Sequence, residues 1–146
     1  MYGNDLDDPA GNSLRGQRVF CSSRGRRGGC GRTVSLFLCE VLPRHTLNAP
    51  LFWRVLQKLS GGASLQSVVE GLPKLPMALE SIRGACRRLR RRLDALRTVL
   101  CGAQAPPPSH QRMPLHQTIE HLQAVFPQST SVLADYQYRF GQPFMG

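Results

Sequence analysis

No run in this chain approaches the roughly 18 consecutive apolar residues that a membrane-spanning helix needs. The N-terminal residues are acidic (Asp5, Asp7, Asp8) and lack a long apolar run, so the pattern of a secretory signal is missing. Both absences set the expectation of a cytoplasmic protein with no membrane partner. There the five cysteines stay reduced, and a disulfide framework is not expected. Acid is scarce as well, with nine Asp and Glu in 146 residues. Glu40, Glu70, Glu80, Asp94, Glu120 and Asp135 fall in no catalytic pattern. There is no glycine-rich phosphate loop followed by lysine, no nucleophile elbow, and no Cys–His pairing with a context. His116 and His121 are five apart, a poor spacing for one helix face. No catalytic residues are expected, and the chain reads as a non-enzyme.

Lysine is nearly absent too. Of 19 basic residues only Lys58 and Lys74 are lysines, and the formal charge is +10. Arginine prevails where planar, bidentate contact to phosphate or to guanine edges is needed. The arginines are concentrated in two blocks. Six fall within residues 15–32 with no acid among them, and seven fall within 77–102 against only Glu80 and Asp94. A pI near 10.5 with clustered arginine is the footprint of a nucleic-acid binder. A solvated basic face, or a face for an acidic protein, would carry the same composition.

Along the chain the spacing of apolar residues predicts a mainly α protein. Residues 1–14 read as an acidic, poorly ordered tail. Residues 15–36 form an Arg/Gly segment, where "QRVF" and "RTVS" flank the glycines as two short strands of a hairpin. Residues 46–102 form a helical domain. Asn48 caps a first helix that Gly61 and Gly62 end, with Leu51, Phe52, Val55, Leu56 and Leu59 on one face. Ser64 caps a short second helix with Leu65, Val68 and Val69 inward. After the "PKLP" turn, residues 77–100 form a long basic helix, with Gly102 as its stop. Residues 103–114 are a Pro-rich, extended linker. Residues 115–146 hold a C-terminal helix (Leu115, Ile119, Leu122, Val125, Phe126) and an aromatic tail (Tyr136, Tyr138, Phe140, Phe144) that is expected to pack.

The layout of short helix, glycine turn, short helix, proline turn and long basic helix is that of a helix-turn-helix. Any small helical domain offers three helices in this length. In the long helix Leu79, Ile82, Cys86, Leu89, Leu93, Leu96 and Leu100 recur at steps of three and four, a heptad pattern. The seam is either the core face or a homodimer seam, and Leu96 and Leu100 extend past the expected three-helix core. Cys86 on that seam and Cys101 at the helix end read as structural.

The segment "RVFCSSRGRRGGCGRTVS" resembles the second half of the zinc ribbon at the N-terminus of bacterial transposases and insertion-sequence proteins. Cys30, Gly31, Arg32, Thr33 and Ser35 match that family's closing motif, with Val34 where an aromatic is usual, and Cys21 matches the position before it. The likeness covers about residues 15–36, and the ribbon-then-helices order covers about 15–100. It implies a zinc-ribbon-like β-hairpin ahead of a helix-turn-helix, in a bacterial DNA-binding module of a mobile element, associated with the nucleoid. Two departures stand out. Eight residues separate Cys21 from Cys30, where the family has two, and the first Cys-x2-Cys pair is missing. A closed structural zinc site needs four ligands. Cys21 and Cys30 supply two. Cys39, in an apolar run, reads as a small buried hydrophobe, and His45 as a solvent-facing loop residue. The ribbon therefore reads as degenerate, with zinc possible and no other cofactor implied. The likeness brings no catalytic domain.

The function expected is recognition of duplex DNA. Arg24, Arg26, Arg27 and Arg32 would hold phosphates from a loop whose glycines allow close approach. Arg83, Arg87, Arg90 and Arg91 would lie along the groove-facing side of the long helix. RNA finds no aromatic sheet motif to stack on. Two alternatives stay open: a protein-interaction module assembled through the heptad helix, and an inert remnant of a transposon gene.

Overall fold

The computed structural model describes residues 2–4, 12–22, 28–45, 47–72 and 79–146. Arg24, Arg26 and Arg27, the acidic residues Asp5, Asp7 and Asp8, and the "PKLP" turn lie outside them. Among the described residues the architecture is mainly helical, with two small antiparallel hairpins ahead of five helices. The first hairpin pairs β1 (Tyr2–Asn4) with β2 (Asn12–Leu14). This corrects the expectation of a poorly ordered tail: the backbone on either side of the acidic stretch pairs with itself. The second hairpin pairs β3 (Gly16–Phe20) with β4 (Thr33–Phe37), in a register that sets Val19 opposite Val34.

The helices are α1 (Ala49–Ser60), α2 (Leu65–Glu70), α3 (Leu79–Ala103), α4 (Pro114–Val125) and α5 (Val132–Phe140). Their starts follow the expected chemistry. The Asn48 side chain accepts from the Leu51 amide, and Ser64 accepts from the Ser67 amide. Each satisfies one of the orphan donors of a first turn. α3 does not stop at Gly102 but runs one residue further. There the His121 ring donates from Nε2 to the Gln104 carbonyl across 2.9 Å, joining the end of α3 to α4.

One apolar core runs from Leu42 to Met145. The heptad seam belongs to it: Ile82, Cys86, Leu89, Leu93, Leu96 and Leu100 are all buried within the chain, and Leu79 is half-buried. Of the two readings of the seam, this is the core one. Leu96 and Leu100 do not project past the core, because α4 packs along α3 and covers them. Residues 103–114 thus connect two parts of one core. Trp53, which the α1 periodicity left out, is buried as well.

The aromatic tail packs, as its composition implied. Tyr136 lies 4.9 Å from Phe140 and 5.3 Å from Phe144, ring centre to ring centre, and the Arg139 guanidinium sits over Phe126 and Phe140. Tyr138 is the exception, 83% exposed on the outer face of α5.

The run "LFLCEVL" divides. Leu36, Phe37 and Leu38 are exposed, and only Val41 and Leu42 enter the core. Cys39 is exposed, not the buried hydrophobe its neighbours suggested. The chain turns at Cys39 and Glu40, and the turn is held by Gln137 of α5. That buried amide donates from Nε2 to the carbonyls of Cys39 and Val41, and its Oε1 accepts from the Phe144 amide at 2.9 Å. A single side chain therefore joins the hairpin's exit, the last helix and the C-terminal segment.

Gln137→Ala leaves these backbone groups without their partner. Each buried orphan costs about 1–3 kcal/mol. We expect the variant to lose about 3 kcal/mol in urea unfolding, while Gln123→Ala on the exposed face of α4 changes stability by less than about 0.5 kcal/mol.

Candidate nucleic-acid interface

The apolar seam of α3 fixes the direction of its arginines. At about 100° per residue, Arg83, Arg87, Arg90 and Arg91 fall within an arc of about 100° that runs from the flank of the seam at Arg90 to the side opposite it at Arg91. All four are exposed. They extend over about 12 Å of helix axis, a length comparable to the width of the DNA major groove. Arg83, Arg87 and Arg90 line a groove of about 560 Å³, together with Glu80, Cys86, Leu59 of α1 and Leu65 of α2. The two shorter helices thus form one wall of the groove and the basic helix the other.

The other three arginines of α3 divide otherwise, Arg97 being half-buried on the Arg90 side of the seam. Arg88 and Arg92 lie on the opposite flank of the seam. Arg92 is half-buried, its guanidinium against Gly146, where a Cβ would collide with it, and its charge is felt at Tyr136. Arg88 stands near His45. Arg92 serves the fold's own contacts, a distinction that composition could not make, whereas Arg88 stays exposed.

Glu80 is the acid that sequence reading passed over. Its carboxylate pairs with Arg83 on the surface, one turn away. It places a negative charge at the mouth of the arginine groove, where it opposes any polyanion. The i, i+3 spacing of Glu80 and Arg83 was the available signal.

His45 is not solvent-facing but half-buried, and Arg15 donates from its guanidinium to the His45 carbonyl at 3.1 Å. Arg15 is therefore an anchor between the base of the second hairpin and the loop before α1. Burial foremost, with the Arg88 charge behind it, holds the His45 pKa below its ordinary 6.5.

At the other end of the hairpin the strands narrow to a bulge. The Cys21 amide donates to the Arg32 carbonyl at 2.8 Å, and the Gly31 amide donates to the Cys21 carbonyl at 2.9 Å. Gly31 and Arg32 thus face one residue, with Gly31 at φ 67°, the left-handed glycine that such a bulge requires. The turn brings the Cys30 amide to 3.3 Å from the Cys21 sulfur. The Arg32 amide and then the Cys21 thiol, both hydrogen-bonded to the Cys30 thiol, lower its pKa. Arg32 is exposed beside them.

The structure therefore brings Cys21 and Cys30 together and leaves Cys39 and His45 apart from them. Cys39 lies beyond the opposite end of β4, a five-residue strand about 17 Å long. Among the described residues no three His, Cys, Asp or Glu side chains converge as a metal-binding group. Two thiols fall short of the four ligands of a closed zinc site. No helix among the described residues is long and apolar enough to cross a membrane.

Comparison with known proteins returns no match: no family model fits the chain, and no curated protein and no solved structure is significantly similar to it.

The lowered His45 pKa has a sign. The folded chain takes up that proton less readily than the unfolded chain, so His45's contribution is complete above the unfolded value of 6.5 and is lost as pH falls through it. We expect the urea midpoint to drop between about pH 7 and pH 5, and His45→Gln to make that drop smaller.

Proposed function

We propose that this protein binds duplex DNA through the exposed arginine flank of α3. The observation that carries this reading is the sorting of arginines about the apolar seam. Arg83, Arg87, Arg90 and Arg91 face solvent together beside an open groove, whereas Arg92 on the other flank is half-buried against Gly146. A structural use of arginine would not leave four like charges adjacent on one flank. On this reading α1, α2 and α3 act as a helix-turn-helix, with α3 entering the major groove. The β3–β4 hairpin acts as a degenerate zinc-ribbon-like arm whose Arg32, with Arg24, Arg26 and Arg27, contacts phosphates. The likeness of "CGRTVS" to transposase N-terminal modules supports a mobile-element origin. In that setting the protein would act without catalysis of its own, in a bacterial cytoplasm.

A second reading has one observation in its favour. Val19, Phe20, Val34, Leu36, Phe37 and Leu38 are exposed on the hairpin, an apolar surface of the kind that meets other proteins. Under that reading the hairpin surface would carry the contact rather than the α3 seam, whose side chains are buried within the chain.

Fluorescence anisotropy on a random duplex separates the two. The log–log salt dependence should have a slope of about −4, since each neutralised phosphate contributes about −0.9. Charge-removing changes at Arg87, Arg90 and Arg91 should each reduce the slope by about 1. Glu80→Gln should tighten binding, because it removes the acid from the groove. Absence of binding at low salt would leave the apolar hairpin surface as the leading account.

A further inference from the structure

We propose that Cys21 and Cys30 are a redox couple, which a low-molecular-weight disulfide of the glutathione class converts into an intrachain disulfide across the tip of the β3–β4 hairpin. The inference stands whether or not the chain binds DNA. It begins from the mismatch at this tip: two cysteines converge as in a metal knuckle, but among the described residues no further ligands converge with them.

The convergence is built by the backbone. Gly31 takes the left-handed conformation at the bulge, turning the returning strand so that Cys30 faces Cys21. Gly29 passes so close to the outgoing strand that a Cβ would stand 2.1 Å from the Ser22 carbonyl oxygen. Only glycine fits there, and the pinch holds the two strands together one residue from each thiol. With the Cys30 amide 3.3 Å from the Cys21 sulfur, that sulfur lies within about 4.8 Å of the Cys30 α-carbon. A disulfide requires its two Cα atoms within about 4.4–6.8 Å, and the contact of the Cys21 sulfur with the Cys30 backbone sets the two residues side by side for it. Both thiols are exposed and free, so a small disulfide reaches them.

The chemistry balances without any further reagent. One thiolate of the pair attacks a sulfur of the small disulfide and forms a mixed disulfide, and the other half of the reagent leaves as a thiol. The second protein thiolate then attacks the protein sulfur of that mixed disulfide. The bond to the reagent breaks, and its second half leaves as a thiol. Two electrons and two protons pass from the cysteine pair to the reagent. Reduced glutathione reverses both steps.

The same chain supplies its own control. Cys39 and Cys101 are also exposed, but Cys39 lies at the far end of β4 and Cys101 lies at the end of α3. Each should stop at the mixed disulfide.

The test is incubation of the reduced full-length chain in graded mixtures of reduced and oxidised glutathione. Acid quenching, alkylation and peptide mass measurement follow. The expected result is loss of two hydrogens from a linked Cys21–Cys30 peptide pair, while Cys39 and Cys101 carry glutathionyl groups. Cys30→Ser should leave a persistent glutathionyl adduct on Cys21, and the double change Cys39→Ser with Cys101→Ser should leave the linkage intact. Oxidation should also slow hydrogen exchange at the Cys21 and Gly31 amides by roughly tenfold or more, because the tip can no longer open. Stable glutathionyl adducts on both Cys21 and Cys30 of the unaltered chain would overturn the proposal. So would a pair that stays inert until a chelator is added, since a bound metal would then be what occupies the thiols.

Discussion

The apolar seam of α3 is the constraint on which the rest depends. Ile82, Cys86, Leu89, Leu93, Leu96 and Leu100 must face inward together, and burying a leucine side chain is worth about 1.5–3 kcal/mol. Once the seam faces the core, each arginine's direction follows from its place in the 3.6-residue repeat. The core then has to cover a helix of 25 residues, which the two short helices before it could not do. α4 covers the distal half, and α5 packs on α1 behind it. The C-terminal segments are thus part of what holds the basic helix in position.

That helix is electrostatically uncomfortable on its own. Arg83 with Arg87, Arg87 with Arg91, and Arg88 with Arg92 are i, i+4 pairs of like charge, each unfavourable by about 0.2–0.5 kcal/mol. Glu80 relieves one end by pairing with Arg83. On the other flank the chain separates its charges by tucking Arg92 against the C-terminus. On the open flank nothing similar is done. Packing holds Arg87, Arg90 and Arg91 side by side, a fixed repulsion that a row of phosphates would convert into attraction. This connects the packing of the seam to the proposed function.

Features set by neighbours in sequence were legible before the structure. The caps at Asn48 and Ser64, the heptad of α3 and the two strands around the glycines all rest on spacings of a few residues. What escaped rests on distant partners. The Gln137 amide reaches carbonyls 96 and 98 residues away, and no local pattern marks a glutamine for that task. Cys39 looked buried because its neighbours are apolar, but the turn at Cys39 and Glu40 faces it outward. Leu96 and Leu100 looked surplus because their cover, α4, arrives only after a proline-rich connection. At the candidate site the four arginines could be named from charge and periodicity. Glu80 in the groove and the structural uses of Arg15 and Arg92 could not. The meeting of Cys21 and Cys30 was half-visible: the motif suggested it, but the bulge at Gly31 that brings it about is a matter of backbone conformation.

The central claim is that one flank of α3, and not basic charge in general, meets DNA. Arginine-selective covalent labelling with and without a duplex, read residue by residue, tests it most directly. The account predicts strong protection of Arg83, Arg87, Arg90 and Arg91 by DNA, with weaker protection of Arg32 in the hairpin arm and with Arg88, Arg112 and Arg139 labelled equally in both conditions. Uniform protection of all exposed arginines, or protection confined to Arg88 and the far flank, would contradict it.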